Sequence, residues 1–334
     1  MGSATVNGVP AQDASQPGPA LRFADVAVTA TAKEFAGIYR NKQYHEPDFS
    51  AVLDRALEAG VMKVMLTGMS LSDVEFNMAI ARSRPQQVRT TIGIHPYHAS
   101  EPYSEEGHFD RLAGAVHDAL KAKPSLLAAF GELGLDYDRT DRCPREKQIE
   151  TFKGQLDLFV ANKFDLPLFL HCRAAFDDFV EIIKEYLPHL PRRGLVHSFV
   201  GTTGQMQTLT SLGFDVSVNG FSFQDADSLE MVRNIPMDYL QIETDAPWGE
   251  ITANSEVAKR YLGDAPPLPA SKKRDKFEMG VMVKGRNESC CINRVALAVA
   301  GIKGISVEKV REAAWANSSR MFGLEEKDRD GTST

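Results

Sequence analysis

Short apolar runs alternate with longer segments of helical period along most of the chain, and this alternation constrains the fold more than any other feature. The eight apolar runs lie at 22–29, 62–67, 89–95, 126–132, 166–171, 194–198, 214–219 and 239–245. Near-continuous apolar runs of this length are typical of parallel strands that are buried on both faces. The pattern therefore predicts repeated strand–helix units.

Amphipathic segments fill the intervals between the apolar runs. Residues 50–59 are one example, with Ser50 placed to cap the helix and Gly60 placed to end it. Residues 175–187 are another, because their apolar side chains recur at helical spacing. Each predicted strand is thus followed by a segment that can cover the sheet.

Eight strand–helix units favour an α/β fold of the (β/α)8 TIM-barrel type over an open doubly wound sheet, since no G-x-G-x-x-G follows a strand. The 334 residues exceed the roughly 250 that are typical of this barrel. The excess includes two additional C-terminal helices, predicted near 290–301 and 306–321. Ser306 is placed to cap the second of these helices, and Gly323 is placed to end it.

The predicted domain organisation is a single barrel over 22–323 between two tails. We expect 1–21 to be a disordered N-terminal tail and 324–334 to be a flexible C-terminal tail. A long connection over 246–288 follows the eighth strand and contains the basic run SKKRDK at 271–276. Connections of this length are usually functional or disordered, and a basic run is more often a solvated loop than a DNA clamp.

Charge and cysteine usage narrow the function classes. The net charge of -7 argues against a surface that binds polyanions generally, so any contact with nucleic acid must be a local patch. The four cysteines form no C-x-x-C pair or zinc-finger spacing, which is typical of reduced thiols in an intracellular protein. With no apolar stretch long enough for a membrane span, we expect a protein of the cytoplasm or nucleus that does not interact with membranes.

Metal-binding or acid–base side chains stand at the ends of five predicted strands: His95, Glu132, His171, His197 and Asp245. One such histidine is commonly a hydrogen-bonded structural imidazole. Five at the carboxyl ends of barrel strands are hard to assign to packing, because active sites of such barrels form there. A mixed set of imidazoles and carboxylates suits a divalent ion, and a carboxylate can bridge two of them.

Strand alternation places Glu243 on the same side as Asp245. Glu243 could support a metal network from inside the barrel, or it could form a structural ion pair. The sequence leaves both interpretations open.

The motifs, taken in order, resemble the TatD family of metal-dependent deoxyribonucleases, which belongs to the amidohydrolase-like TIM barrels. The resemblance covers nearly all of 22–323 and is closest to the eukaryotic branch. The motifs that carry it are GIYRNKQYH at 37–45, GIHP at 93–96, GELGLDYDR at 131–139, LHCR at 170–173, VHSF at 196–199, ETDAPW at 243–248, VKGRNE at 283–288 and NSSRMFG at 317–323.

The resemblance implies a role for each of the five strand-end residues. Glu132 would be a metal-bridging carboxylate, and His171 and His197 would be metal ligands. Asp245 would be both a ligand and the acceptor of the proton of the attacking water, and His95 would lie near the scissile phosphate. The cofactor would be one or two divalent ions, Mg, Mn or Zn, and the substrate would be DNA.

The first strand departs from the family pattern D-x-H-x-H. The aligned stretch here runs from Asp25 to Thr29, with Ala27 and Thr29 at the two histidine positions. Ala and Thr cannot replace two imidazoles, so we expect one of two metal sites to be weakened, watery or filled only with substrate bound. Asp25 could contribute a ligand to that site or support it indirectly.

Cationic and aromatic residues near the predicted strand ends could contact nucleic acid. The candidates are Arg40, Lys42, Arg173, Trp248, Lys284 and Arg286. The alternative for each is an ordinary ion pair or a core aromatic. An acidic protein with a recessed site favours strand ends or short single strands, in agreement with the 3′-to-5′ exonuclease activity that the resemblance implies, in DNA repair or DNA fragmentation.

Two other functions remain open at this level. The same barrel with similar ligands could hydrolyse a small amide, lactone or phosphoester, because fold does not determine substrate. The chain could also be a non-catalytic DNA-binding barrel that lost its activity with the first-strand histidines. The presence of Glu132, His171, His197 and Asp245 argues against the second alternative.

Overall fold

The computed structural model describes residues 22–122 and 125–324, and its centre is a sheet of eight parallel strands in sequential order. The strands are β1 (Phe23–Val28), β2 (Val61–Leu66), β3 (Val88–Ile92), β4 (Leu127–Asp136), β5 (Leu168–Arg173), β6 (Gly194–Val196), β7 (Asp215–Val218) and β8 (Leu240–Ile242). A parallel bridge between Val28 and Ala246 connects the first strand to the last. The predicted α/β barrel is confirmed.

Helices follow the strands as the alternation predicted. They are α1 (Phe49–Glu58), α2 (Leu71–Ser83), α3 (His108–Lys121), α4 (Arg145–Ala161), α5 (Phe176–Tyr186), α6 (Thr203–Ser211), α7 (Ala226–Asn234), α8 (Glu256–Tyr261), α9 (Ile292–Lys303) and α10 (Val307–Phe322). Each of β1–β7 is followed by one of α1–α7. The additional C-terminal helices are α9 and α10.

The strands are buried on both faces, which explains their continuous apolar runs. Met65, Phe169 and Leu195 belong to one buried cluster, whereas their strand neighbours pack in the larger cluster beneath the helices. Because successive side chains point to opposite faces, the smaller cluster fills the barrel. Phe322 and Leu324 complete that cluster, so the end of α10 covers the barrel where its strands begin.

Both ends of α10 agree with the sequence prediction, and the start of α1 differs from it. The Ser306 hydroxyl accepts a hydrogen bond from the backbone N–H of Lys309 at 3.4 Å, and Gly323 ends α10 with a φ of 62°. The predicted cap at Ser50 is wrong, because α1 begins at Phe49 and Asp48 is its N-cap. The Ser50 hydroxyl instead contacts Arg84 of the neighbouring helix.

Two insertions lie at the carboxyl end of the barrel. A hairpin of two-residue strands, Ile38–Tyr39 and Lys42–Gln43, follows β1. The connection after β8 is ordered: it contains α8 and the parallel pair Ser271–Lys272 and Met282–Val283. The sequence analysis expected a connection of this length to be either functional or disordered, and the structure shows that it is not disordered.

Several expectations concern parts of the chain other than the barrel. The N-terminal tail, and all of the C-terminal tail except the buried Leu324, lie outside the described residues. All four cysteines are buried and unpaired. Among the described helices, no single one has the length and apolar character of a membrane span; Ser289–Lys303 and Val307–Phe322 reach that limit only together, with a bend of 115° between them.

Candidate metal and catalytic centre

Three imidazoles surround one carboxylate oxygen at the carboxyl end of the barrel. Oε1 of Glu132 lies 2.5 Å from Nε2 of His197 and 2.8 Å from Nδ1 of His171. Nε2 of His95 lies 3.4 Å from the same oxygen. The structure thus brings together four of the five strand-end residues.

Burial and neighbouring charges shift the pKa values of Glu132 and His197 in opposite directions. Burial raises the pKa of Glu132, but the charge of His197 and the hydrogen bonds with His171 and His197 outweigh it, and the pKa is held well below its usual range. Burial lowers the pKa of His197, but Glu132 and Glu243 raise it well above the ordinary value. The carboxylate of Glu132 is therefore ionised and is stabilised mainly by His197.

His95 differs from the other two histidines because burial keeps it neutral. Burial lowers its pKa to about 3 despite the nearby carboxylate of Glu132. Its Nδ1 accepts a hydrogen bond from the backbone N–H of Tyr97 at 3.1 Å. The ring proton of the neutral form must then be on Nε2, which faces the cluster.

Asp136 fixes the far side of the His171 ring, and sequence reasoning missed it. Nε2 of His171 lies 3.1 Å from Oδ2 of Asp136, which also accepts a hydrogen bond from the hydroxyl of Tyr97 at 3.1 Å. Asp136 is completely buried. An available signal was its position four residues after Glu132 at the end of the same apolar run.

Glu243 lies behind His197. Its Oε1 is 3.4 Å from Nδ1 of His197, although the geometry is not that of a hydrogen bond. Ser217 donates to Oε2 of Glu243 at 2.6 Å, and Nδ2 of Asn219 donates to Oε1 at 3.0 Å. Neither Ser217 nor Asn219 was identified from the sequence. These bonds hold Glu243 in position to orient His197.

Asp245 stands in a strained turn beside this cluster. Its φ of 55° lies in the left-handed region, which is uncommon for residues other than glycine. Burial raises the pKa of Asp245 to about 8, against the lowering influence of His197. Within the described residues its carboxylate accepts no hydrogen bond. Asn287 steadies the turn by donating from Nδ2 to the backbone oxygens of Thr244 at 2.9 Å and Trp248 at 2.7 Å.

The first strand holds its carboxylate against β8. Both oxygens of Asp25 accept hydrogen bonds from Thr244, at 2.9 Å from its N–H and 2.6 Å from its hydroxyl. Burial raises the pKa of Asp25 to about 6. Ala27 and Thr29 are buried and supply no imidazole. Asp25 therefore braces the turn that carries Asp245.

The donor atoms of this centre fit a divalent cation. Among the described residues, His95, Glu132 and His171 each place one possible ligand atom within 4.8 Å of the others. Nδ1 of His197 is buried without a hydrogen-bond partner. Imidazole nitrogens and carboxylate oxygens are the donors that Zn and Mn accept in proteins. A cation among these groups would meet the atoms that now face Oε1 of Glu132, which include Nδ1 of His171 and Nε2 of His197.

Three of the predicted substrate contacts are accessible at this end of the barrel. Arg40 is exposed in the hairpin turn after β1. Arg173 is exposed at the end of β5 and forms an ion pair with Asp138 at 2.5 Å. Trp248 is 41% exposed, three residues after Asp245. Each of these side chains is thus exposed to solvent, and Arg173 is paired with an exposed carboxylate.

The buried position of Arg286 contradicts the prediction that it contacts phosphate. It is 3% exposed, and its terminal nitrogens lie 2.6 and 2.7 Å from the oxygens of Asp48 and 2.8 Å from Glu288. Arg55 binds the same Glu288 at 2.8 Å. The guanidinium is thus neutralised inside the protein, and we assign Arg286 a structural role.

We expect Arg286→Ala to lower the free energy of unfolding by about 3–5 kcal/mol, because it leaves the buried carboxylate of Asp48 without its bidentate partner. Denaturant unfolding measures the change. Arg192→Ala is a matched control, since Arg192 pairs with Asp165 in an exposed position, and should cost less than about 1 kcal/mol. Equal, small losses in both variants would contradict the structural role.

Sequence comparisons give consistent results across the chain. A family model described as TatD related DNase matches residues 28–323. A deoxyribonuclease Tat-D of Schizosaccharomyces pombe is 40% identical over 304 residues, which cover 90% of this chain and 96% of that protein. A 3′-5′ ssDNA/RNA exonuclease TatD of Erwinia amylovora is 30% identical over 303 residues, covering 90% of this chain and 99% of that protein.

Solved structures share the fold. The crystal structure of an uncharacterized amidohydrolase from Saccharomyces cerevisiae has a TM-score of 0.84 at 29% identity, over 90% of this chain and 100% of that one. A TatD family hydrolase from Entamoeba histolytica has a TM-score of 0.82 at 29% identity, over 92% and 99% of the two chains. The similarity extends over the whole barrel and its C-terminal helices.

Proposed function

Because the chain belongs to the TatD family of related DNases, we propose that it is a metal-dependent deoxyribonuclease that removes nucleotides from the 3′ ends of single-stranded or frayed DNA. The observation that carries this proposal is the convergence of His95, His171 and His197 on Glu132, with Asp245 beside them. The names of the relatives, a deoxyribonuclease and a 3′-5′ ssDNA/RNA exonuclease, support the substrate class.

The residues proposed to hold one or two divalent ions are Glu132, His171, His197 and Asp245, with Asp25 and Glu243 as supporting carboxylates. Mg, Mn or Zn bound there would relieve charge on the phosphate oxygens and make a water molecule more acidic. Asp136 and Glu243 orient the rings of His171 and His197, respectively, through the contacts already described. Such supporting carboxylates fix both the tautomer and the orientation of a ligating imidazole.

The protein's own groups have two further tasks in phosphodiester hydrolysis. The carboxylate of Asp245 accepts the proton of the attacking water, because it is the carboxylate without a hydrogen bond in the described part of the centre. Nε2–H of His95 donates to a non-bridging oxygen of the phosphate, because its Nδ1 is occupied by the N–H of Tyr97. Arg40, Arg173 and Trp248 contact the DNA around that phosphate.

We place this activity inside the cell, in the cytoplasm or nucleus, and in DNA repair or DNA fragmentation. Four buried, unpaired thiols support a reducing compartment.

The decisive experiment supplies metals one at a time. Metal-stripped protein is incubated with 3′- or 5′-labelled single-stranded DNA, and Mg, Mn or Zn is added. We expect a ladder that shortens from the 3′ end and requires metal. A folded protein that cleaves no DNA with any of the three ions, while hydrolysing a lactone or cyclic amide, would assign the barrel to the amidohydrolase alternative.

Removing the carboxylate behind His171 should weaken metal binding without removing a proposed ligand. We expect Asp136→Asn to reduce metal affinity, measured by calorimetry, about 10- to 100-fold. Asp138→Asn is the control two residues away, because Asp138 pairs with the exposed Arg173, and the metal affinity of this variant should change less than about twofold. Equal affinities in the two variants would remove Asp136 from the metal centre.

A further inference from the structure

A groove lies at the carboxyl end of the barrel, beside the turn that carries Asp245. It is lined mainly by aromatic and cationic side chains, and of those that define it the proposed function uses only Trp248. The side chains that define this outer groove are Tyr39, Tyr44, Trp248, Lys273, Arg274 and Lys284. Two acidic residues, Glu34 and Asp275, also line it. Its volume of about 610 Å³ lies within the roughly 300–1,000 Å³ that is usual for ligand sites.

The walls of the outer groove come from both insertions of the barrel. The hairpin after β1 supplies Tyr39 and Tyr44, and the connection after β8 supplies the cations. The ring of His45 stacks on Phe277 with centroids 4.2 Å apart and planes 12° apart, which joins the hairpin to the connection. This contact holds the two walls of the groove in a fixed position relative to each other.

Arg274 forms the centre of the outer groove. Its guanidinium lies 5.1 Å from the ring centroid of Tyr39 and 4.8 Å from that of Tyr44. In the described residues it makes no ion pair, and neither do the exposed Lys273 and Lys284. By contrast, Lys272 on the same segment pairs with Glu278. Cations without carboxylate partners in a chain of net charge -7 indicate a local site for an anion.

The outer groove is continuous with the catalytic centre through Trp248. Asn287 holds the backbone oxygens of both Thr244 and Trp248, so the indole and Asp245 belong to one rigid turn. A strand that places its terminal phosphate at Asp245 would pass the Trp248 ring and then reach the tyrosines and Arg274.

We propose that the outer groove binds the single-stranded part of the DNA substrate that lies beyond the nucleotide being removed. Aromatic rings that stack on bases, combined with cations that contact phosphates, are how proteins bind single strands without sequence preference. We expect such a site to make the enzyme cleave longer single strands more efficiently than short ones. This inference rests on the proposed function and extends it, and it gives the basic run SKKRDK a role other than that of a solvated loop.

The test compares substrates that do and do not reach the outer groove. Steady-state cleavage is measured with a thymidine dinucleotide and with oligothymidylate of roughly 12 residues. We expect Arg274→Ala and Tyr44→Ala each to raise KM for the longer substrate about 5- to 100-fold, the range for loss of one stacked base. The dinucleotide should be cleaved within about twofold of the parental rate, because it lacks the part of the strand that the proposal assigns to the outer groove. Arg274→Lys retains the charge and should lose less than Arg274→Ala.

A binding measurement separates this inference from the proposed function. Arg274→Ala and Tyr44→Ala are each combined with Asp245→Asn, and the binding of labelled oligothymidylate is measured by fluorescence anisotropy. We expect each groove substitution to raise Kd about 5- to 100-fold, whether or not the parental protein cleaves DNA. Arg192→Ala is the control, because Arg192 lies where β6 begins, at the opposite end of the barrel. Equal effects on dinucleotide and oligonucleotide, or unchanged Kd in both groove variants, would overturn the inference.

Discussion

Replacing Asp245 by Asn should lower kcat for cleavage of single-stranded DNA about 10³- to 10⁴-fold while changing KM less than about threefold. Asn has the shape of Asp and keeps one oxygen, but it cannot accept a proton from water. The carboxylate of Asp245 stands beside the histidine cluster without a hydrogen bond in the described residues, whereas the carboxylates of Glu132 and Glu243 are already hydrogen-bonded. Steady-state kinetics on an end-labelled oligonucleotide measures both constants.

Asp264→Asn provides the matched control for this change. Asp264 is exposed on the same connection after β8 and lies outside the metal and catalytic centre. Its loss should leave kcat within about twofold, since isolated surface charges contribute little. Retention of more than about a tenth of kcat in Asp245→Asn would exclude Asp245 as the proton acceptor, because a general base contributes at least about 10².

The barrel could be predicted because its strands are buried on both faces. Met65, Phe169 and Leu195 point inward, while their neighbours pack beneath helices, so each strand reads as a short apolar run. Polar residues that interrupt such runs at their carboxyl ends are then conspicuous. This is why His95, Glu132, His171 and His197 could be identified before the structure was seen.

Residues that support the centre gave weaker signals. Asp136 follows an apolar run, Ser217 lies inside one and Asn219 ends another, but none differs in type from residues that cap helices or fill turns. Their roles depend on which atom of another side chain they face. The packing of adjacent strands determines these contacts, and the spacing of residues along the sequence does not reveal them.

Arg286 shows the opposite error. The sequence made Arg286 a candidate for a phosphate contact, but Asp48 lies 238 positions earlier in the chain and binds it at 2.6 and 2.7 Å. A buried arginine and an exposed one look alike in a sequence, because only the fold brings the neutralising carboxylates together. The outer groove is the converse case: Arg274 is half-buried against two tyrosines but has no acidic partner among the residues that the structure describes.

Glu132 should be the residue whose loss has the largest effect, since three imidazoles depend on its one oxygen. We expect Glu132→Gln to reduce cleavage of single-stranded DNA about 10⁴-fold or more, because a neutral amide neither balances the charge of a divalent ion nor bridges two of them. The second readout is metal-dependent stability. At a metal concentration of about 100 times Kd the parental protein should gain roughly 2.7 kcal/mol of unfolding free energy.

That gain should vanish in Glu132→Gln, and taking the difference between metal-free and metal-loaded protein cancels any destabilisation that the substitution itself causes. Glu101→Gln is the matched control, because Glu101 also contacts an imidazole, Nδ1 of His98 at 2.7 Å, but does so on the surface. It should keep the full metal-dependent gain and full activity. A Glu132→Gln protein that is stabilised by metal as strongly as the parental one would mean that the ion binds elsewhere, whereas loss of both readouts together would place the metal among the three imidazoles.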